Sequence, residues 1–153
     1  MTEFVLTNFL VENLKKGEVN KITNSKGKKV LIQREIGDGS FRADIFISLK
    51  SHNNRNKFKF VAIEVKIKDW RQGLYQAYRY NSFAEKSYLA LYKKYCEDIN
   101  INLFKKYNVG LISFDEKEMV ILNKPKTNKF TTEKHSSEIR KYLSKKVSLM
   151  ERV

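Results

Sequence analysis

The side chains whose types and spacing could do chemistry are Asp44, Glu64 and Lys66. Two converging carboxylates offer hard oxygen ligands to a divalent cation such as Mg²⁺, with Mn²⁺ as a substitute, and a backbone carbonyl, here that of Val65, often completes such a set. A lysine two residues beyond the glutamate, on the same side of the chain, can orient or deprotonate a water and stabilise charge on a phosphate. The same three residues would equally make a cross-strand salt bridge, and spacing alone does not separate the two readings. Other chemistries lack their residues. A single cysteine, Cys96, excludes an intrachain disulfide and a multi-cysteine zinc site. His52 and His135 lie far apart in polar segments, which disfavours metal sites and nucleophilic catalysis built on imidazole.

Convergence of these residues requires strands. Residues 58 to 67 (FKFVAIEVKI) alternate so that Val61, Ile63, Val65 and Ile67 share one face and Phe60, Ala62, Glu64 and Lys66 the other. Both faces begin apolar, so this strand is expected to be central and buried. Burying Glu64 and Lys66 without partners would cost several kcal/mol. Residues 41 to 49 (FRADIFISL) divide Phe41, Ala43, Ile45, Ile47 and Leu49 from Arg42, Asp44, Phe46 and Ser48. A symmetric hairpin between the two strands sets residue 44 across from residue 63, so an offset or bulge is needed to bring Asp44 opposite Glu64.

Around this pair the chain reads as mixed α/β. Residues 2 to 15 form a helix capped by Thr2, with Leu6, Phe9, Leu10 and Leu14 on one face and a stop before Gly17. A strand at 28 to 36 and a GDGS turn at 37 to 40 complete an antiparallel three-stranded meander. Asp69 caps a helix from Trp70 to Ala84; a strand at 87 to 92, a helix over 93 to 107 and strands at 109 to 114 and 119 to 122 follow. From residue 123 the tail carries nine basic and three acidic residues, and Ile139, Tyr142, Leu143, Val147 and Met150 recur at helical spacing. The expected domain therefore covers residues 1 to 122, with a basic extension at 123 to 153 packed on it. The whole chain's 31 Lys and Arg against 17 Asp and Glu give a net charge of +14, which attracts polyanions, nucleic acid foremost. No apolar run approaches the roughly 20 residues of a membrane helix, and no signal peptide is read, so a soluble cytoplasmic protein without a membrane partner is expected.

ADIF at 43 to 46, AIEVK at 62 to 66 and DWRQGLYQAYRY at 69 to 80 together resemble the PD-(D/E)xK nuclease superfamily: an acid on one strand, Glu-x-Lys on the next, then a helix with Gln-x-x-x-Tyr. SYLALY and VGLISF stand in the order of that fold's later strands, so the resemblance spans roughly residues 2 to 122. Ala43 stands where the superfamily's name has proline. The resemblance implies a restriction-endonuclease-like fold: a mixed central sheet with an antiparallel meander followed by helix-strand units. It further implies a Mg²⁺-dependent nuclease, an endonuclease-type hydrolase acting on DNA. The alternative is a non-cutting nuclease-fold protein that binds nucleic acid or regulates another protein.

Carried over residue by residue, Asp44 and Glu64 resemble the metal-binding acids, Lys66 the catalytic lysine, and Gln76 with Tyr80 the helix motif. A Gln at 76 can bond a phosphate or a metal-bound water, or face solvent as part of the polar stripe Gln72, Gln76, Tyr80. The resemblance places an extra metal-binding acid on the first helix, where Glu3 is the candidate; a first-turn Glu favoured by the helix dipole is the plain alternative. Glu35 is a second candidate acid. Arg42, Lys68, Arg71 and Tyr80 are expected to contact nucleic acid, and Trp70 reads as a core anchor or a base-stacking platform. With no separate reading domain, specificity would fall to loops, the basic tail or a homodimer.

Overall fold

The computed structural model describes residues 1–36, 42–51, 58–130 and 134–151, without the side chains of 134–137, 150 and 151. The GDGS turn, Phe41, the 52–57 loop with His52, and the side chains of His135 and Met150 lie outside the described residues. Six strands form one sheet in the order β1 (Lys28–Ile36), β2 (Ala43–Ser51), β3 (Phe58–Lys66), β4 (Lys86–Tyr92), β5 (Gly110–Phe114), β6 (Met119–Asn123). The meander β1–β2–β3 is antiparallel, β3, β4 and β5 are parallel, and β6 returns antiparallel. Parallel neighbours need crossovers, and the chain supplies α3 (Trp70–Arg79) between β3 and β4 and α4 (Ile101–Tyr107) between β4 and β5. The fold is mixed α/β. Among the described residues no helix is long and apolar enough to cross a membrane.

The alternation of β3 decides how the layers stack. Val61, Ile63 and Val65 join Ile45, Ile47 and Leu49 under α1 (Glu3–Asn13), whose Leu6, Leu10 and Val11 are buried there. Phe58, Phe60 and Ala62 face the other way with Phe46, and are covered by Tyr80, Phe83 and the helix α5 (Lys134–Glu151) through Ile139, Leu143 and Val147. A third apolar cluster joins Trp70, Leu74 and Ala77 of α3 to Leu89, Leu91 and Phe104. The C-terminal extension is thus part of the core.

Three helix boundaries differ from the sequence reading, each for a local reason. Thr2 caps α1 as read, accepting from the Val5 N–H at 3.2 Å, but the chain stays helical past Asn13 through a widened turn kinked at Gly17 (φ 115°). That left-handed residue, which glycine adopts without penalty, re-aims the chain into a short α2 (Val19–Ile22), whose Ile22 carbonyl accepts from the buried Tyr88 hydroxyl at 2.7 Å. Helix α3 ends at Arg79 and tightens into a 3₁₀ turn at Tyr80–Ser82, which turns Tyr80 and Phe83 inward. Residues 93 to 107 are one 3₁₀ turn (Lys93–Tyr95) and a separate α4, because Asn100 caps α4 by accepting from the Asn102 N–H at 3.1 Å.

Arg140 fixes α5 to the sheet. Its guanidinium pairs with Glu85, donates to the carbonyls of Phe83 (2.7 Å) and Phe58 (3.0 Å), and lies 5.0 Å from the Phe60 ring centre. Glu85 in turn accepts from the Phe60 N–H at 3.0 Å. Burial raises the Glu85 carboxyl above the ordinary range, and Arg140 works against that rise. Arg140→Ala leaves a buried carboxylate and two carbonyls without their partner, so it is expected to lower stability by about 3–5 kcal/mol. Adding Glu85→Gln should recover part of that loss, as read by urea unfolding.

Candidate active site

The β2–β3 hairpin pairs Ile45 with Ile63, Phe46 with Ala62 and so on to Lys50 with Phe58, without a bulge. The one-residue offset needed to set Asp44 opposite Glu64 is present: β2 runs on to Ser51, and the last pair is Lys50–Phe58. Continued by one residue, this register sets Asp44 across from Glu64, close enough for the Asp44 charge to act on the Glu64 carboxyl. The recorded ladder ends at Ile45–Ile63, which leaves the Val65 N–H without a strand partner on the β2 side. The Asp44 Oδ2 takes that place, accepting from Val65 N at 2.8 Å. The N–H and C=O of one strand residue point to the same edge, so the Val65 carbonyl is also directed at this gap.

Tyr80 closes the site from the helix side. Its hydroxyl stands 2.6 Å from Glu64 Oε2 and 2.7 Å from the Arg42 carbonyl oxygen. Glu64 is 6% exposed. Burial foremost, then the Asp44 charge, pushes its carboxyl up to about 8, against the hydrogen bond from Tyr80 and the charge of Lys66. The phenol of Tyr80 is raised as well, by burial and by Glu64. The single phenol hydrogen of Tyr80 faces two acceptors, the Arg42 carbonyl and Glu64 Oε2, so it satisfies one of them at a time unless Glu64 carries a proton.

Lys66 follows on the same side of β3, half-buried, with its stem over α3. A Cβ built on Gly73 would come 2.9 Å from Lys66 Cγ and 2.5 Å from Leu89 Cδ1, so the absence of a side chain at 73 makes room for the lysine. Gln76, one turn before Tyr80, is half-buried, and its Oε1 has no hydrogen-bond partner among the described residues. A buried acceptor without a donor is costly, and it fits a site that receives a water or another donor. Gln72 is exposed, so the polar stripe runs from solvent inward to Tyr80.

The remaining candidates stand elsewhere. Tyr80 is buried on Glu64, which corrects its assignment to nucleic-acid contact. Glu3 is exposed on α1, and α1 covers the sheet face opposite Glu64. Among the described residues no third Asp, Glu, His or Cys forms a metal-binding group with Asp44 and Glu64, so neither Glu3 nor Glu35 is grouped with them. Glu35, left-handed at φ 53°, pairs instead with Arg42 at 3.1 Å, an exposed contact of little energetic weight. Arg42 gives the site its backbone carbonyl, while its guanidinium stays exposed. Lys68 and Arg71 are exposed, with Arg71 4.4 Å from the Trp70 ring centre. Trp70 is a core anchor, 8% exposed and 6.0 Å from Phe104.

The sequence reading missed an aromatic and basic surface on the outer sides of α3 and α4. Tyr75, Tyr78 and Tyr107 are exposed; Tyr78 and Tyr107 meet edge to face at 5.4 Å, and Arg79 and Lys106 lie over Tyr75 and Tyr107. The available signal was Tyr75 and Tyr78 falling outside the Trp70, Leu74, Ala77 stripe.

The chain matches no protein-family model and no curated protein. Among solved structures it is similar to SPO1766, a protein of unknown function from Silicibacter pomeroyi, with a TM-score of 0.55 and 16% identity over 92% of this chain and 85% of that one. The likeness is one of fold.

The raised Glu64 carboxyl makes stability depend on pH with a definite sign. A carboxyl held higher in the fold contributes fully below the ordinary value of 4.5, and its contribution is lost as pH rises towards about 8. The stability of the native chain minus that of Glu64→Gln should therefore fall across this window, by up to roughly 1.4 kcal/mol per pH unit. Denaturant titrations at a series of pH values measure it, and a flat difference contradicts it. Gly73→Ala, by pressing on Lys66 and Leu89, is expected to cost about 1–3 kcal/mol in the same assay.

Proposed function

We propose that this chain is a metal-dependent nuclease of restriction-endonuclease-like fold that hydrolyses phosphodiester bonds of DNA. The observation that carries the reading is the joining of Asp44 and Glu64 across the mouth of the β2–β3 hairpin, with Lys66 two residues beyond Glu64 on the same face. The donor set is made of hard oxygens, which suits Mg²⁺ or Mn²⁺; Asp44, Glu64 and the Val65 carbonyl would hold the ion. Bound there, a divalent cation polarises a phosphoryl oxygen and makes a nucleophile of water at neutral pH. Tyr80 keeps Glu64 in one orientation by its hydrogen bond. Lys66 places an ammonium beside the reacting phosphate, where it stabilises the charge that develops. Gln76 accepts a hydrogen bond at its unpartnered Oε1 and so orients a water or a phosphate-bound group. Nucleic acid as the partner is supported by the net charge of +14 and by the exposed Tyr75, Tyr78 and Tyr107, whose flanking cations suit phosphates and whose rings suit bases.

One observation favours a second reading, a nuclease-fold protein that binds nucleic acid or regulates a partner without cutting. With Glu64 protonated near neutral pH, its own proton and the hydrogen bond with Tyr80 satisfy Glu64 without an ion. Cleavage separates the readings: plasmid, single-stranded, branched and RNA substrates are incubated with Mg²⁺ or Mn²⁺. Glu64→Gln should lower cation affinity and cutting together. Lys66→Ala should slow cutting by about 10²-fold or more, the scale of losing one such stabilising group, with cation affinity kept. Absence of metal-dependent cleavage in the native chain, or a Lys66→Ala variant as fast as native, replaces the nuclease by the non-cutting protein.

A further inference from the structure

Strands β1, β3, β4 and β5 run in one direction, so their first residues gather at one end of the sheet, and Asp44 and Glu64 lie towards the other. Three of those starts carry lysine on the face covered by α1. Lys28 leads into Val30 and Ile32, Lys59 precedes Val61 by two residues, and Lys86 is paired directly with Val61 and precedes Tyr88 by two. The chain leaving β6 adds a fourth. It is laced across the starts of β5 and β4: Asn123 donates to the Val109 carbonyl at 2.9 Å, Lys126 N–H to Asn108 Oδ1 at 2.7 Å, and Asn128 N–H to the Glu85 carbonyl at 2.8 Å. Pro125 is held against Gly110, where a Cβ would come 2.9 Å from its Cδ. Lys124 lies on this path, close enough for its charge to act on Lys86.

No carboxylate among the described residues forms an ion pair with Lys59, Lys86 or Lys124. The nearby acid is Glu85, which is committed to Arg140 and the Phe60 N–H. Among the described residues Lys28 is tied to a carbonyl, that of Asn24 at 3.3 Å, and to no carboxylate. Burial, and after it the charges of Lys124, Lys28 and Lys59, holds the Lys86 ammonium below the ordinary lysine value, and burial with Lys59 does the same to Lys28. Like charges left so close raise the energy of the fold, and an anion that spans them relieves it.

We propose that Lys28, Lys59, Lys86 and Lys124 form an anion site for phosphate groups, separate from the carboxylate site. Five residues of strand separate Lys59 from Glu64, about 16 Å at the rise of a strand, and the two point to opposite faces. The site does not depend on the nuclease reading. Its ligand carries several phosphates, as a free oligophosphate or as a nucleic-acid backbone, because one monoanion leaves most of four ammonium charges unmatched.

The test uses the full chain, Lys59→Gln/Lys86→Gln, and the exposed-site variant Lys59→Gln/Lys124→Gln, with inorganic tripolyphosphate and a fluorescein-labelled DNA duplex as probes. Tripolyphosphate should raise the melting temperature of the native chain more than sodium chloride of equal ionic strength. Both variants should bind it at least tenfold more weakly. Without the probe, at low salt, Lys59→Gln/Lys86→Gln should melt above the native chain, because a repulsion has been removed; a merely structural lysine gives the opposite sign. Should duplex affinity fall as well, with a salt slope smaller by about 0.9 for each lysine removed, the source is a nucleic-acid backbone. Should only tripolyphosphate binding fall, it is a free oligophosphate. Native-like binding of both probes by both variants, or no binding of either probe by the native chain, overturns the site.

Discussion

The pairing of Lys50 with Phe58 at the closed end of the β2–β3 hairpin sets the site and the core together. In an antiparallel ladder a slip of one residue sends every side chain of a strand to the other face. With this register, Ile45, Ile47 and Leu49 face α1 and Phe46 faces α5, while Asp44 arrives across from Glu64 on the side where Tyr80 waits. A slip would put isoleucines among the charged groups and Asp44 under α1. The burial of the hairpin's apolar residues is therefore what holds two mutually repelling carboxyl groups together. Their repulsion is small beside the several side chains that would have to be turned out to relieve it, at about 1.5–3 kcal/mol each.

Helix α3 completes the site that this register begins through one residue that is missing a side chain and one that is large. Gly73 lets the helix approach β3 and β4 closely enough for Lys66 and Leu89 to lie against its backbone. The approach brings the end of the helix within reach of Glu64, and the 3₁₀ turn at Tyr80–Ser82 rotates the Tyr80 phenol onto it. Tyr80 also holds the Arg42 carbonyl, so it joins the entry of β2 to the end of β3 at the point where their ladder has stopped. Such a residue positions the glutamate, which is a different role from meeting a substrate phosphate.

The parts legible in the sequence were those carried by periodicity. The alternation in 58 to 67 placed Glu64 and Lys66 on the Phe60 face, and the helical spacing of Ile139, Leu143 and Val147 marked the covering side of α5. The order of strands and crossovers gave the mixed sheet. What was not legible depends on contacts between distant segments. The hairpin register follows from where β2 stops, and a run of polar residues such as SHNNRNK does not mark that point. The 3₁₀ turn after Arg79 follows from the pull of the core on Phe83 and Ala84, which helix propensity does not report. Glu3 shares a sequence stripe with Leu6 and Leu10, but the layer that α1 occupies is fixed only when the sheet is assembled, and it is the layer away from Glu64. The lysine cluster was invisible for the same reason: Lys28, Lys59, Lys86 and Lys124 are neighbours only because three strands start together and the chain after β6 crosses them.

The two ends of the sheet carry opposite electrostatic problems, and the topology keeps them apart. At one end, two carboxyl groups share too little positive charge, and the fold compensates by holding a proton on Glu64. At the other, Lys59, Lys86 and Lys124 have no ion-pair partner among the described residues, and Lys86 and Lys28 are held below the ordinary lysine value. Salt bridges between the two groups would cancel both costs, yet β3 holds Lys59 and Glu64 five residues apart and on opposite faces, where they cannot meet. A +14 chain that holds Asp44 beside the buried Glu64, and leaves Lys59, Lys86 and Lys124 without an ion pair among the described residues, keeps both charge groups at the expense of stability. A bound ion would remove electrostatic cost of this kind, a cation at the hairpin mouth in the proposed nuclease and phosphates at the proposed strand-start site.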